Sequence, residues 1–117
     1  MRDIIEVNSS TFKAEVLESP VPVLVDAYSP DCGPCRAIAT ILGELAEEVR
    51  GRAKVVKVNA VEDIYLAAAL RVGGYPTLVI FKDGQEVARF AGLRSKEKLR
   101  EALGVPASAV GIGPSSE

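Results

Sequence analysis

Residues 21–28 form a nearly continuous apolar run broken only by Asp26. A strand with one face in water alternates polar and apolar residues. A run without that alternation belongs in the middle of a sheet that is covered on both faces. Residues 54–58 and 77–81 read the same way. Between the first two runs, Ile38, Ile41, Leu42, Leu45, Ala46 and Val49 recur at helical spacing, opposite Glu44, Glu47, Glu48 and Arg50. Buried strands alternating with amphipathic helices make this an α/β chain, with helices packed on both faces of one sheet.

The remaining segments complete that order. Ile4, Ile5, Glu6 and Val7 read as a short first strand. Asn8, Ser9 and Ser10 offer caps for a helix whose apolar face is Phe12, Val16 and Leu17 and which stops at Ser19 and Pro20. Residues 63–71 predict an alanine-rich helix ended by Gly73 and Gly74. Asp83 and Gly84, between the strand at 77–81 and another at 87–90, mark a tight hairpin. A last helix starts at Ser95, buries Leu99, Ala102 and Leu103, turns Lys96, Glu97, Lys98, Arg100 and Glu101 to water as a solvated face, and stops at Gly104. The expectation is one domain over residues 1–104. Residues 105–117, rich in Gly, Pro and Ser, follow as a docked irregular segment or an unstructured tail.

The 117 residues include no histidine, which excludes Ser-His-Asp and Cys-His nucleophile pairs and histidine-ligated metals or haem. Proton transfer falls to Asp, Glu, Lys, Tyr or Cys. With 14 basic and 16 acidic residues intermixed, no basic face points to nucleic acid. The first residues lack the apolar core of a signal peptide, and the longest uncharged run, 103–116, is too short and too broken to span a membrane. A cytoplasmic protein, away from membranes, is expected.

Cys32 and Cys35 are the chain's two cysteines, placed where a buried strand ends and the long helix begins. Residues three apart on a helical turn bring their Cα atoms to about 5–6 Å, which suits a disulfide. As a staple, so small a loop contributes at most about 2 kcal/mol. As a redox couple it is better built: Cys32 lies at a helix N-terminus, where unpaired N–H groups and the macrodipole favour a thiolate. Cys35, one turn in, is more shielded and suited to resolving a mixed disulfide. Pro34 is compatible with the first helical turn. The other use of such a pair is half of a zinc site. Two thiolates without histidine cannot close a tetrahedral site in one chain, which leaves only a dimer sharing four sulfurs. No metal or dissociable cofactor is expected.

Over about residues 3–104 the chain resembles the thioredoxin family. Five stretches carry the likeness: Val23-Leu24-Val25-Asp26, Cys32-Gly33-Pro34-Cys35, Gly74-Tyr75-Pro76-Thr77, Lys82-Asp83-Gly84 and Ala91-Gly92. The resemblance implies a thioredoxin fold, a central mixed five-stranded sheet flanked by four helices. It also implies a protein disulfide reductase acting as a monomer on disulfide-containing proteins and recharged by a thioredoxin reductase. Cys32 would be the nucleophile and Cys35 the resolving thiol, with Gly33 and Pro34 as the loop between them. The family's buried Asp matches Asp26, which would accept the Cys35 proton, and Lys57 matches the Lys beside it. Pro76 would be a cis-proline, and Gly74, Tyr75 and Gly92 would let an extended substrate approach as an added strand. From the residues alone, Asp26 either is buried with a raised pKa or turns to water at a strand end. Lys57 either neighbours it or is an ordinary strand lysine.

The chain departs from the family at Asp31, where Trp is usual, and at Tyr28, a second position where Trp is common. Ala27 stands for a common Phe, Thr40 for a kinking Pro and Arg36 for Lys. A carboxylate roughly 6 Å from Cys32 opposes its thiolate by about 0.7–3 kcal/mol, the lower figure applying at an exposed site. Loss of the indole also removes an apolar docking surface, so the partner range is expected to narrow or to favour basic substrates. Two other functions therefore stand beside the general reductase: a dedicated electron donor to one enzyme, and a binding subunit that does not use its cysteines.

Overall fold

The computed structural model describes residues 4–109. Five strands form one mixed sheet: β1 (Ile5–Glu6), β2 (Val23–Tyr28), β3 (Lys54–Asn59), β4 (Thr77–Lys82) and β5 (Gln85–Ala91), in the spatial order β1-β3-β2-β4-β5. β1, β3 and β2 run parallel, and β4 and β5 continue the sheet antiparallel. β2 is central, paired on both edges, with Val23 opposite Lys54 on one side and Phe81 on the other. Val23, Leu24, Val25 and Ala27 are fully buried, which is why this segment shows no alternation.

Successive side chains on β2 face opposite layers. Leu24 joins Val55, Leu78 and Ile80 beneath Ile38, Leu42 and Leu45 of α1 (Gly33–Glu48) and Leu99 of α3 (Lys96–Ala102). Val23 and Val25 face the other layer with Val56, Val58 and Val79, covered by Phe12, Val16 and, from α2 (Ile64–Ala69), Leu66. The long helix runs unbroken through Thr40 and ends before Gly51, whose φ of 85° is left-handed. Asp63 and Ser95 cap α2 and α3 through Leu66 N–H and Lys98 N–H. Asp83 and Gly84 both have positive φ, as the tightest hairpin turns require.

Two expectations need correction. The helix expected after residues 8–10 is a single π-helical turn, Lys13–Leu17, closed by Glu18 N–H donating to Lys13 O. Asn8 Oδ1 accepts from Ser10 N–H and Thr11 N–H in the turn that precedes it, and Ser19 and Pro20 leave no length for a second turn. The charges of α3 are also not simply solvated. Lys96 pairs with Glu48 at 2.6 Å and Glu44 at 3.2 Å, and Arg100 lies 3.6 Å from Glu48, tying α3 to α1. With the π-helical turn, four helices flank the sheet. Beyond them Val105 is buried in the α1–α3 layer and Ala107–Ala109 form a 3-10 turn. Residues 110–117 lie outside the described residues.

Candidate redox site

The C-terminal ends of β2 and β3 and the N-terminal end of β4 lie at the same edge of the molecule, as their register requires. Here β2 gives way to Cys32, the N-cap of α1 in extended conformation. Cys32 and Cys35 are joined in a disulfide with Cα atoms 5.1 Å apart, inside the range expected from their spacing. Cys35 N–H donates to Cys32 Sγ at 3.1 Å, so this sulfur takes the capping place usually held by an oxygen. That hydrogen bond and the helix N-terminus favour negative charge on Cys32 once the disulfide opens. Cys32 is exposed at the surface only in part, Cys35 is 5% exposed, and Gly33 and Pro34 between them reach toward solvent.

Asp26 is buried at 5% exposure, and its Oδ1 finds no hydrogen-bond partner among the described residues. Two residues beyond Leu24, it faces the α1 layer. Desolvation raises its pKa from 3.8 to about 7, and the charge of Lys57, its register neighbour on β3, moderates the rise. Asp26, Lys57 and Cys35 line one cavity of about 190 Å³, with Tyr28, Arg36 and Ala39. A carboxyl group that gains and loses its proton near neutrality thus shares a recess with the buried cysteine. The water-facing reading of Asp26 does not hold, and Lys57 is half-buried beside it.

Across the sheet end, the Tyr75–Pro76 peptide bond is cis. Thr77 Oγ1 donates to Gly74 O at 2.7 Å, closing the turn, and Gly92 N–H donates to Pro76 O at 3.0 Å. Gly92 has a φ of 82°, a conformation that side chains disfavour. A Cβ on Gly74 would meet nothing within 4 Å, so any need for its absence comes from a molecule outside the chain. Tyr75 is 43% exposed, and Asp31 is exposed beside Cys32.

Three contacts near the site were not legible in the sequence. Tyr28 Oη donates to Glu6 Oε1 at 2.6 Å, and its ring lies 6.0 Å from Lys57 Nζ. Burial, followed by the hydrogen bond and charge of Glu6, pushes the Tyr28 phenol up to about 12, so it remains a donor. Ser9 bonds Asp63 through both its backbone N–H and its hydroxyl, anchoring the start of α2. Arg94 stacks 5.4 Å over Phe90 and donates to Ala91 O and Leu93 O, bracing the Gly92 loop. Only Tyr28 carried a sequence signal, as an aromatic residue in an unusual form.

The thioredoxin family model matches residues 3–104. Thioredoxin 1 of Nostoc sp. is 47% identical over 98 residues, covering 84% of this chain and 92% of its own. Thioredoxin 1 of Synechococcus elongatus is 46% identical over 97 residues, 83% and 91% of the two chains. The chloroplastic M-type thioredoxin of Spinacia oleracea is 37% identical over 103 residues, 88% of this chain and 57% of its own. Typical partners in this family are thioredoxin reductase and disulfide-bearing substrates. No helix among the described residues is long and apolar enough to cross a membrane. With a matching fold, a Cys-x-x-Cys disulfide at a helix N-terminus and two relatives matched over nine-tenths of their length, this chain belongs to the thioredoxin family and is a thiol–disulfide oxidoreductase.

Proposed function

We propose that the protein is a general reductase of protein disulfides. The Cys32 thiolate attacks one sulfur of a substrate disulfide, forming a mixed disulfide and releasing the first substrate thiolate. Asp26, as carboxylate, takes the proton from the Cys35 thiol, and Lys57 tunes its readiness to do so. The Cys35 thiolate then attacks Cys32 Sγ, forming the Cys32–Cys35 disulfide and releasing the second substrate thiolate. Two electrons pass to the substrate. A thioredoxin reductase would restore the dithiol, with no dissociable cofactor held by this chain.

The observation that carries this reading is the cavity shared by Asp26 and Cys35, with a carboxyl pKa of about 7. A structural disulfide needs no buried acid beside it. Gly74, Tyr75, Pro76 and Gly92 are proposed to receive an extended substrate segment, and Asp31 to bias the choice toward basic neighbours of the target disulfide. The domain is read as residues 1–104, with 105–117 following it, acting as a monomer in the cytoplasm.

A Cys35→Ser variant tests the proposal, because it holds partners on Cys32 as mixed disulfides. Many captured proteins, together with turnover of insulin by the unaltered protein, support the general reductase. A single captured partner with no insulin turnover replaces it with a dedicated donor. No capture, with cellular activity surviving Cys32→Ser, replaces it with a binding subunit.

A further inference from the structure

Glu6, Lys57 and Asp26 stand side by side on three adjacent strands, since Lys57 is the register partner of Glu6 on β1 and of Asp26 on β2. Residues in register project to the same face, and neighbouring strands lie about 4.8 Å apart. One ammonium therefore has a carboxylate on either side. Glu6, on the exposed edge strand, would be the easier partner, because Asp26 is buried and gives up its proton only near neutrality.

The contacts resolve that competition. Tyr28, two residues beyond Asp26 on β2, donates its hydroxyl to Glu6 Oε1 at 2.6 Å. The same ring lies 6.0 Å from Lys57 Nζ, at the limit of a cation–π contact. Tyr28 thus occupies the competing carboxylate and holds the ammonium beside the cavity that Asp26 lines. The other polar or charged groups facing this space are Ser29, directly after β2, Asn59, farther along β3, and Arg36 and Cys35 from α1.

We propose that Tyr28 is a positioning residue: by engaging Glu6 it leaves the Lys57 ammonium to Asp26 and so sets the proton affinity of the buried carboxyl group. The inference rests on Asp26 serving Cys35 only for its catalytic consequence, not for its electrostatics. Removing the hydroxyl frees Glu6 to pair with Lys57 and makes ionised Asp26 harder to sustain. Partial withdrawal of a charge several ångströms away is worth about half a pH unit.

The test is the titration of the Asp26 carboxyl carbon by NMR in the oxidised, full-length protein, alongside the pH profile of mixed-disulfide resolution. Tyr28→Phe, which keeps the ring, is expected to raise the carboxyl midpoint by about half a pH unit. Adding Glu6→Gln to it should return the midpoint to that of the unaltered protein or below, because the competitor is then uncharged. A Tyr28→Phe titration that coincides with the unaltered one overturns the proposal. So does a rise that persists in the double variant, since lost solvation rather than a freed Glu6 would explain it. A carboxyl midpoint that moves as expected while the resolution profile stays fixed upholds the hold on Lys57 and counts against Asp26 as the proton acceptor.

Discussion

Asp26 on β2 and Cys35 on α1, nine residues apart in sequence, open onto the same cavity, where one is a buried acid and the other the less accessible sulfur. In the proposed mechanism, their proximity places a proton acceptor beside the thiol that must ionise second. It also buries a carboxylate at the centre of the sheet, and that has a thermodynamic signature.

The first prediction concerns stability. The Asp26 pKa is about 7 in the folded protein and 3.8 when the side chain is free in water, so between these values the folded protein binds more protons than the unfolded one. Its contribution is fully favourable below about pH 4 and is lost as pH rises through about 7. The full loss is on the order of 4 kcal/mol. Asp26→Asn should therefore stabilise the oxidised protein at pH 9, with the advantage shrinking steadily toward pH 4. Denaturant unfolding at pH 4, 7 and 9 measures the difference, and a pH-independent gap would contradict it.

The same substitution should have the opposite effect on chemistry. Without a proton acceptor in the cavity, resolution of the mixed disulfide at pH 7 is expected to slow about a hundredfold, the low end for loss of a positioned base. The inflection near pH 7 should vanish from its profile. Attack by Cys32 on the substrate, measured in single turnover, should change little. Equal slowing of both steps would place Asp26 outside the proposed role.

How much of this is legible in the sequence follows from what each residue touches. Val23, Leu24 and Val25 announce a central strand because burial on both faces leaves its mark on every consecutive residue. Asp83 and Gly84 announce their turn because few residues tolerate positive φ. Asp26 stands out as a polar residue in an apolar run, though its burial requires the α1 layer above it. The Glu6–Tyr28 bond is invisible, since it joins strands separated in space by β3 and in sequence by a helical turn. The pairing of Lys96 and Arg100 with α1 escapes for a related reason: charges on the outer face of one helix say nothing about the helix packed alongside.

Asp31 offers a third prediction. Asp31→Asn removes one negative charge beside Cys32 without altering side-chain size. At an exposed site the low end of the Coulomb range applies, so alkylation of reduced Cys32 at pH 6–7 should accelerate about threefold. High salt should shrink the difference. Identical alkylation rates in the two proteins at low salt would show that Asp31 does not act on the sulfur.

A fourth prediction falls at Gly84. Its φ is 78°, and a Cβ there would lie 3.0 Å from Leu17 O, a backbone atom that cannot step aside. Gly84→Ala should cost roughly 1–3 kcal/mol, from strain in the turn and crowding against the π-helical turn. Thermal unfolding of the oxidised protein reports it. Disulfide reduction at 25 °C should be retained, because the hairpin turn lies at the end of β4 away from Pro76.

The sheet ends on β5, seven residues long, with one edge unpaired among the described residues. A protein proposed to accept a foreign strand beside Tyr75 carries a second, longer edge that could do the same with any extended chain. That edge bears Glu86 and Arg89, paired at 2.8 Å, and its ladder with β4 is irregular at Ile80 and Phe81. Fixed charge and a broken register both discourage edge-to-edge addition. Selectivity here thus has a second side: a redox end proposed to take up a partner strand, and a flank whose charge and broken register disfavour one.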